Sequence, residues 1–285
     1  MGAISRLPFR EWVGDNKFVA LDLKDLDTPL PGGTETALAE YLARSGSAPS
    51  EITVLDFGCG RGSLVGKLRR RGWRAFGVEI EQRFVDAGAL VNQMADEPYP
   101  ILSTLRAGRT IFPENFFDVI LTEQVLEHVS DLDQLVREMD RITAPGGILA
   151  HSFPAQYRVL EPHYKLPFVH WLPKSGLRYA AMRALVAAGM GARGTVPLPN
   201  GEKTQTIFEY SVNETFYRPL TVIEQAFRKR GFATDGDILV RRELEKRFAH
   251  RRGFLAAIVG TRPLFALFCA AYMRFRSAIL LCRKQ

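Results

Sequence analysis

The sequence predicts an α/β fold, and two observations carry that expectation. The apolar run of Ile52, Val54 and Leu55 ends in Asp56 and is followed by glycines at alternate positions, Gly58, Gly60 and Gly62. That pattern describes a buried strand stopping at a sharp turn before a helix. An amphipathic stretch over residues 63–71 then leads to a second apolar run, residues 75–78, ending in Glu79. Strand, turn, helix and strand in immediate succession form the unit from which parallel sheets are built. Glycines at such a turn let the backbone approach a ligand, expose amide N–H groups and take dihedrals that a Cβ forbids. An acid at the end of the second strand, about 20 residues after the glycines, is placed for the two hydroxyls of a ribose.

The other elements follow in chain order. Residues 1–33 carry Trp12, Phe18, Val19 and Leu21 among charges and finish in a proline- and glycine-rich turn. A leading helix is expected over residues 34–44, with Leu38, Tyr41 and Leu42 on one face. In the helix after the glycine turn, Leu64, Val65 and Leu68 face inward, while Lys67, Arg69, Arg70 and Arg71 are expected in solvent. A further helix starts at Glu81. Residues 118–122 predict a strand, with Glu123 and Gln124 emerging at its C-terminal end, where open α/β sheets hold ligands. A helix over residues 132–142 presents Leu132, Leu135, Val136 and Met139 on one side, and Pro145, Gly146 and Gly147 turn the chain into a strand over residues 148–153. Residues 177–190 predict a helix, 191–201 a loop, 206–210 an extended segment and 219–230 a helix.

Taken together, residues 54–62, Glu79, the run 117–120 before Leu126, Glu127, His128 and Val129, and Pro145–Gly147 before Ile148 and Leu149 resemble the class I S-adenosylmethionine-dependent methyltransferases of the type 11/12 kind. The resemblance implies a Rossmann-like seven-stranded mixed sheet with helices on both faces, and S-adenosyl-L-methionine as cofactor. It places the donor against Asp56, Gly58, Cys59, Gly60, Gly62, Glu79, Glu123 and Gln124, with Asp56 ordering the glycine loop rather than acting as a base. An NAD-type site is the competing reading of a glycine-rich turn, but its pattern needs two residues between the second and third glycines. The family's acid after the third strand, which meets the adenine amino group, has no counterpart in residues 102–109; Asp96 or a backbone carbonyl near Leu105 is the substitute expected.

Residues 154–203 form the specialised part. Between Glu161 and Pro173 lie two histidines, three aromatics and three prolines, far more than an ordinary connection holds. This segment is expected to be an acceptor-binding lid. Methyl transfer to oxygen requires that the acceptor's proton be taken up, so His163 and His170, with Glu123, are the catalytic candidates. His128, Tyr164, Trp171 and Tyr217 are the candidate acceptor contacts. The alternative for the histidines is that His163 orders the loop, His170 fills it and His128 is satisfied by its neighbours. No Asn–Pro–Pro–Tyr-like run follows the fourth strand, which argues against methylation of nucleobase or glutamine amino groups.

Composition locates the rest. Three cysteines lie far apart, giving neither a disulfide framework nor a metal-ligand spacing, and the start of the chain lacks the apolar core of a signal peptide. A reducing, cytoplasmic setting is expected. Of 38 basic residues nine follow Glu245 with no acid among them, leaving 29 basic against 31 acidic in the body. Basicity therefore belongs to the tail, and a nucleic-acid partner is not expected. The tail, residues 246–285, is apolar from 254 onward with interrupting arginines, which predicts helices lying on an anionic membrane on the inner face of the cell membrane; an oligomer contact is the alternative. The expected organisation is an N-terminal extension and leading helix over 1–50, a methyltransferase domain over 51–245 and this tail. The expected function is O-methylation of a membrane-associated lipid or lipid-linked glycan of the cell envelope, with a soluble small-molecule O-methyltransferase and a non-catalytic scaffold as alternatives.

Overall fold

The computed structural model describes residues 20–191, 198–248 and 261–285. Expectations resting on Trp12, Phe18 and Val19, on residues 192–197 and on the apolar run 254–259 lie outside the described residues. The leading helix α1 (Gly32–Ser45) precedes β1 (Thr53–Phe57), α2 (Ser63–Arg70) and β2 (Arg74–Glu79). Two short helices, α3 (Gln82–Ala87) and α4 (Ala89–Asn92), lead to β3 (Leu102–Thr104), followed by β4 (Phe117–Glu123), α5 (Leu132–Ile142) and β5 (Thr143–Pro154). After β5 come α6 (Gly176–Ala187), α7 (Asn200–Asn213), α8 (Leu220–Arg228), β6 (Phe232–Asp235), α9 (Ile238–Phe248), α10 (Arg262–Phe275) and β7 (Ser277–Lys284).

The strands form one seven-stranded sheet in the order β3-β2-β1-β4-β5-β7-β6. The first five are mutually parallel, and β7 runs antiparallel to both β5 and β6. Alternation along the strands divides the core between the two faces of the sheet. Val54, Val119, Ile148 and Leu281 pack into one cluster, while Leu55, Ile120, Leu149 and Leu280 pack into the other. All five residues of β1 are buried, as a central strand covered on both faces requires. The order reverses at β1, whose neighbours are β2 and β4, so the ligand crevice of this architecture opens above the C-terminal ends of β1, β2 and β4.

Three expectations are corrected. Residues 206–210 are not extended but lie inside α7, where Thr204, Ile207, Tyr210 and Ser211 recur at helical spacing and are buried. The apolar end of the tail is no surface helix. Ala278, Leu280, Leu281 and Cys282 are buried in β7, which is wedged between β5 and β6. A short apolar run between arginines fits a buried strand as well as an amphipathic helix, and burial decides between them. Arg69 does not face solvent either; it turns inward to Glu97 at 3.0 Å and lies over the Phe76 ring.

The insert after β5 has a small core of its own, in which Tyr164, Leu166, Val169, Met182, Val186, Ile207 and Tyr210 join the loop to α6 and α7. This satellite core fixes the loop that carries Glu161 and His163 over the C-terminal side of the sheet.

Candidate functional site

The glycine turn adopts backbone that only glycine takes without strain. Gly58, Gly60 and Gly62 have φ of 84°, 52° and 75°. A Cβ on Gly58 would stand 2.5 Å from Val125 Cγ2 and one on Gly62 2.7 Å from Leu102 Cδ1, whereas one on Gly60 would meet open space. The outer two glycines therefore let the turn seat against the sheet, and the middle one leaves room on the ligand side. Cys59 points the other way, its thiol buried against Gly77, with burial pushing the thiol up beyond its ordinary range.

Glu79 closes the turn from β2. Its carboxylate accepts from the Gly60 N–H at 2.9 Å and the Ile80 N–H at 2.7 Å. Asp56, at the end of β1, is buried between this group and Glu123. Burial first, then the charges of Glu123 and Glu79, push the Asp56 carboxyl up to about 8. Burial also raises Glu123, although hydrogen bonds from Thr34 and Ser152 oppose the shift. Three acids thus converge above the C-terminal ends of β1, β2 and β4. Thr34 Oγ1, in the first turn of α1, donates to Glu123 Oε1 at 3.2 Å, so the leading helix covers this end of the crevice. Gln124 follows Glu123 at a φ of 57°, an uncommon conformation for a non-glycine residue and one that turns the chain off β4.

The second group lies beyond Gln124. His128 Nδ1 donates to the Glu214 carbonyl at 2.7 Å, and His163 Nδ1 donates to Glu161 Oε1 at 2.6 Å. The two rings meet edge to face with centroids 4.8 Å apart. Glu161 is fully buried, yet it also accepts from Tyr217 Oη at 2.6 Å and from the backbone N–H groups of His163 and Tyr164 at 2.6 and 2.8 Å. Burial works to raise this carboxyl, but the His163 and Tyr217 hydrogen bonds hold it below the ordinary range. Burial and Glu161 together push the Tyr217 phenol far up, so it stays a neutral donor. One ligand atom each from Glu127, His128 and His163 lies within 4.8 Å of the others. No metal-ligand spacing is visible in the sequence because the insert brings His163 to Glu127 and His128 from across the whole of β5.

The other predicted contacts fall elsewhere. His170 is buried behind Tyr217, its ring centroid 5.1 Å from the phenol ring, with neither ring nitrogen hydrogen-bonded among the described residues. Burial lowers it to about 4. It is a neutral filler of the insert, not a group placed to exchange a proton. Tyr164 is wholly buried in the satellite core and lines no open face. Trp171 is at the surface, packed on Phe168 and Tyr157, and donates Nε1–H to the Arg158 carbonyl. Asp96 is exposed next to Glu97, which pairs with Arg74 at the start of β2; this is the N-terminal edge of the sheet, opposite the crevice.

With the crevice described, residues 55–151 match the family described as Methyltransferase domain. Residues 55–151 carry a methyltransferase domain. An uncharacterized methyltransferase of Mycobacterium sp. (strain JLS) is 36% identical over 115 residues, 40% of this chain and 43% of that protein. The ubiquinone biosynthesis O-methyltransferase of Caulobacter vibrioides is 32% identical over 120 residues, 40% of this chain and 46% of that protein. The chain thus spans less than half the length of the curated relatives it matches. A solved S-adenosylmethionine dependent methyltransferase from Mesorhizobium loti is 14% identical, with a TM-score of 0.49 over 91% of this chain and 100% of that one.

The glycine turn, Glu79, Glu123 and Gln124 lie together at the C-terminal ends of β1, β2 and β4. Two groups of the second cluster, Glu127 and Glu161, were not among the expected site residues. The signal for Glu161 was its place two residues before His163, and for Glu127 its place directly before His128.

Proposed function

We propose that the protein is an S-adenosylmethionine-dependent methyltransferase that methylates a hydroxyl of a membrane-associated lipid or lipid-linked glycan. The observation that carries the donor half is the convergence of Asp56, Glu79 and Glu123 around a turn whose three glycines are left-handed. S-adenosylmethionine brings a sulfonium and an ammonium, and a crevice with three acids and exposed amide groups suits a cation with a carboxylate. In this reading the amides of residues 58–62 take the amino-acid portion, Glu79 the ribose hydroxyls, and Glu123 with Gln124 the rim beside the methyl group. Catalysis is then mainly positioning and exclusion of water.

The acceptor half rests on the insert. Glu161 accepts from His163 Nδ1–H, which leaves the lone pair on Nε2, where it would take the proton of an acceptor hydroxyl. Support for an O-linked acceptor comes from the relative named for O-methylation in ubiquinone biosynthesis. Support for a membrane source comes from α10. Leu264, Leu267, Ala271 and Phe275 recur at helical spacing and are exposed, Leu264 at 53% and Leu267 at 68%, and Arg262, Arg274 and Arg276 flank them. No helix among the described residues is long and apolar enough to cross a membrane, so the attachment proposed is to one surface.

The test is transfer of labelled methyl from S-adenosylmethionine to total membrane lipid and, separately, to a soluble extract. Label in the lipid fraction is expected. Label confined to soluble metabolites would defeat the membrane acceptor, and no label in either would defeat the activity.

A further inference from the structure

We infer that Tyr217 is a positioning residue for methyl transfer: its hydroxyl orients the Glu161 carboxylate that holds the His163 ring, and the backbone around it fixes that pair against the turn after β4. The inference rests on the reading of His163 as the base. Glu161 Oε1 is shared, accepting from His163 Nδ1 and from Tyr217 Oη at 2.6 Å each, with the two donor atoms 3.5 Å apart. Glu161 Oε2 is taken by the backbone N–H groups of His163 and Tyr164 at 2.6 and 2.8 Å. Those backbone bonds pin Oε2 alone and would leave Oε1 free to swing. The Tyr217 hydroxyl stops it where it meets the ring.

Tyr217 is itself held from both sides. It lies in the connection between α7 and α8, whose neighbouring residues grip the turn after β4. Phe216 N–H donates to the Glu127 carbonyl at 2.6 Å, and Arg218 Nη2 donates to the Ser130 carbonyl at 2.8 Å. Arg218 Nη1 also donates to the Phe216 carbonyl at 3.0 Å, which closes the strap around Tyr217. At its start, Thr215 Oγ1 donates to the Ser211 carbonyl in α7 at 3.0 Å. The phenol ring packs on His170, with centroids 5.1 Å apart. A residue anchored to the turn that follows Gln124 therefore reaches across to the insert and sets where its carboxylate stands relative to the donor crevice.

The charge on Glu161 gives this placement its effect. Glu161 is fully buried, and its four donors replace the water that an ionised carboxyl loses there. An anion fixed at Nδ1 stabilises the imidazolium that forms when Nε2 takes the proton of the acceptor hydroxyl. The acceptor oxygen forms the O–CH₃ bond, the C–S bonding pair returns to sulfur to give S-adenosylhomocysteine, and His163 later passes its proton to water. Tyr217 touches neither reactant and acts through Glu161 and the ring.

The experiment uses the full chain and Tyr217→Phe, which removes one hydroxyl and keeps the ring against His170. Labelled methyl transfer at saturating S-adenosylmethionine is followed to total membrane lipid and to soluble extract. Its initial rate should fall about tenfold in Tyr217→Phe, with the half-saturating amount of acceptor fraction and the calorimetric affinity for S-adenosylhomocysteine unchanged. His163→Gln should lower the rate by roughly a hundredfold or more. Adding Tyr217→Phe to it should slow it no further, because the hydroxyl acts only through the ring. Proton NMR of the chain with S-adenosylhomocysteine should show His163 Nδ1–H at low field, lost in His163→Gln and moved to lower field in Tyr217→Phe as Oε1 loses its second donor. A wild-type rate in Tyr217→Phe or an unmoved resonance would overturn the positioning role. So would a further loss in the double variant, which would show Tyr217 meeting the acceptor itself. Wild-type turnover in His163→Gln would instead defeat the reading of His163 as the base, and the positioning role with it.

Discussion

Replacing Asp56 by Asn should make the ligand-free protein more stable while weakening its hold on the donor. Asp56 is buried between Glu79 and Glu123, which raises its carboxyl from an ordinary 3.8 to about 8. Because the folded value lies above the unfolded one, the folded chain holds an extra proton between about pH 4 and pH 8. The contribution is most favourable below pH 4 and is lost as pH rises through 8. At about 1.36 kcal/mol per pH unit, the loss reaches roughly 4 kcal/mol at pH 7. Asparagine has nearly the same shape and no charge to desolvate. The stability of Asp56→Asn minus that of the wild type should therefore grow with pH, from near its pH 4 value to about 4 kcal/mol above it at pH 7. Urea unfolding at several pH values, without ligand, reads this difference directly, and other titrating groups cancel in the subtraction. Donor affinity should fall about tenfold in the variant, because the bound cation draws the neutral Asp56 carboxyl into its charged form and asparagine has no such form. A difference independent of pH between 4 and 7 would refute the electrostatic description of the acid cluster.

Gly58→Ala combines left-handed backbone with a Cβ 2.5 Å from Val125 Cγ2, and should cost about 2–4 kcal/mol of stability; adding Val125→Ala should restore the part due to the contact, as thermal unfolding of the double variant would report. His151 is buried, accepts or donates at Nδ1 with Thr122 Oγ1 at 2.8 Å, stacks on Phe227, and is lowered by burial to about 3. Its folded value lies below the unfolded one, so it costs stability as pH falls below 6.5, about 2 kcal/mol by pH 5; that acid-side slope should flatten in His151→Gln. Leu264→Glu with Leu267→Glu should leave the unfolding temperature within a few degrees of wild type, since both side chains are exposed, while abolishing sedimentation with anionic vesicles.

The first half of the chain was legible because its signals are local. Alternating glycines, an acid at the C-terminal end of each of β1, β2 and β4, and strict apolar runs in central strands all lie within a few residues of the feature they specify. The tail was misread because Ala278, Ile279, Leu280 and Leu281 have the same composition whether they enter a sheet or a bilayer, and only pairing with β5 and β6 distinguishes the two. The arrangement around Glu161 was hidden for a different reason. Glu161 meets His163 within the same turn, but Tyr217 reaches it from 56 residues away. His128 and His163 likewise come together only because the satellite core fixes the insert. His170 and Tyr164 looked equivalent to His163 and Tyr217 by residue type, and burial alone separates the pairs.

The central claim is that the acid-lined glycine crevice holds S-adenosylmethionine, and calorimetry of the full chain tests it most directly. One molecule of S-adenosylmethionine or S-adenosylhomocysteine should bind per chain, with affinity at least tenfold weaker in Glu79→Ala. No binding of either ligand, or equal binding by the variant, would contradict the account.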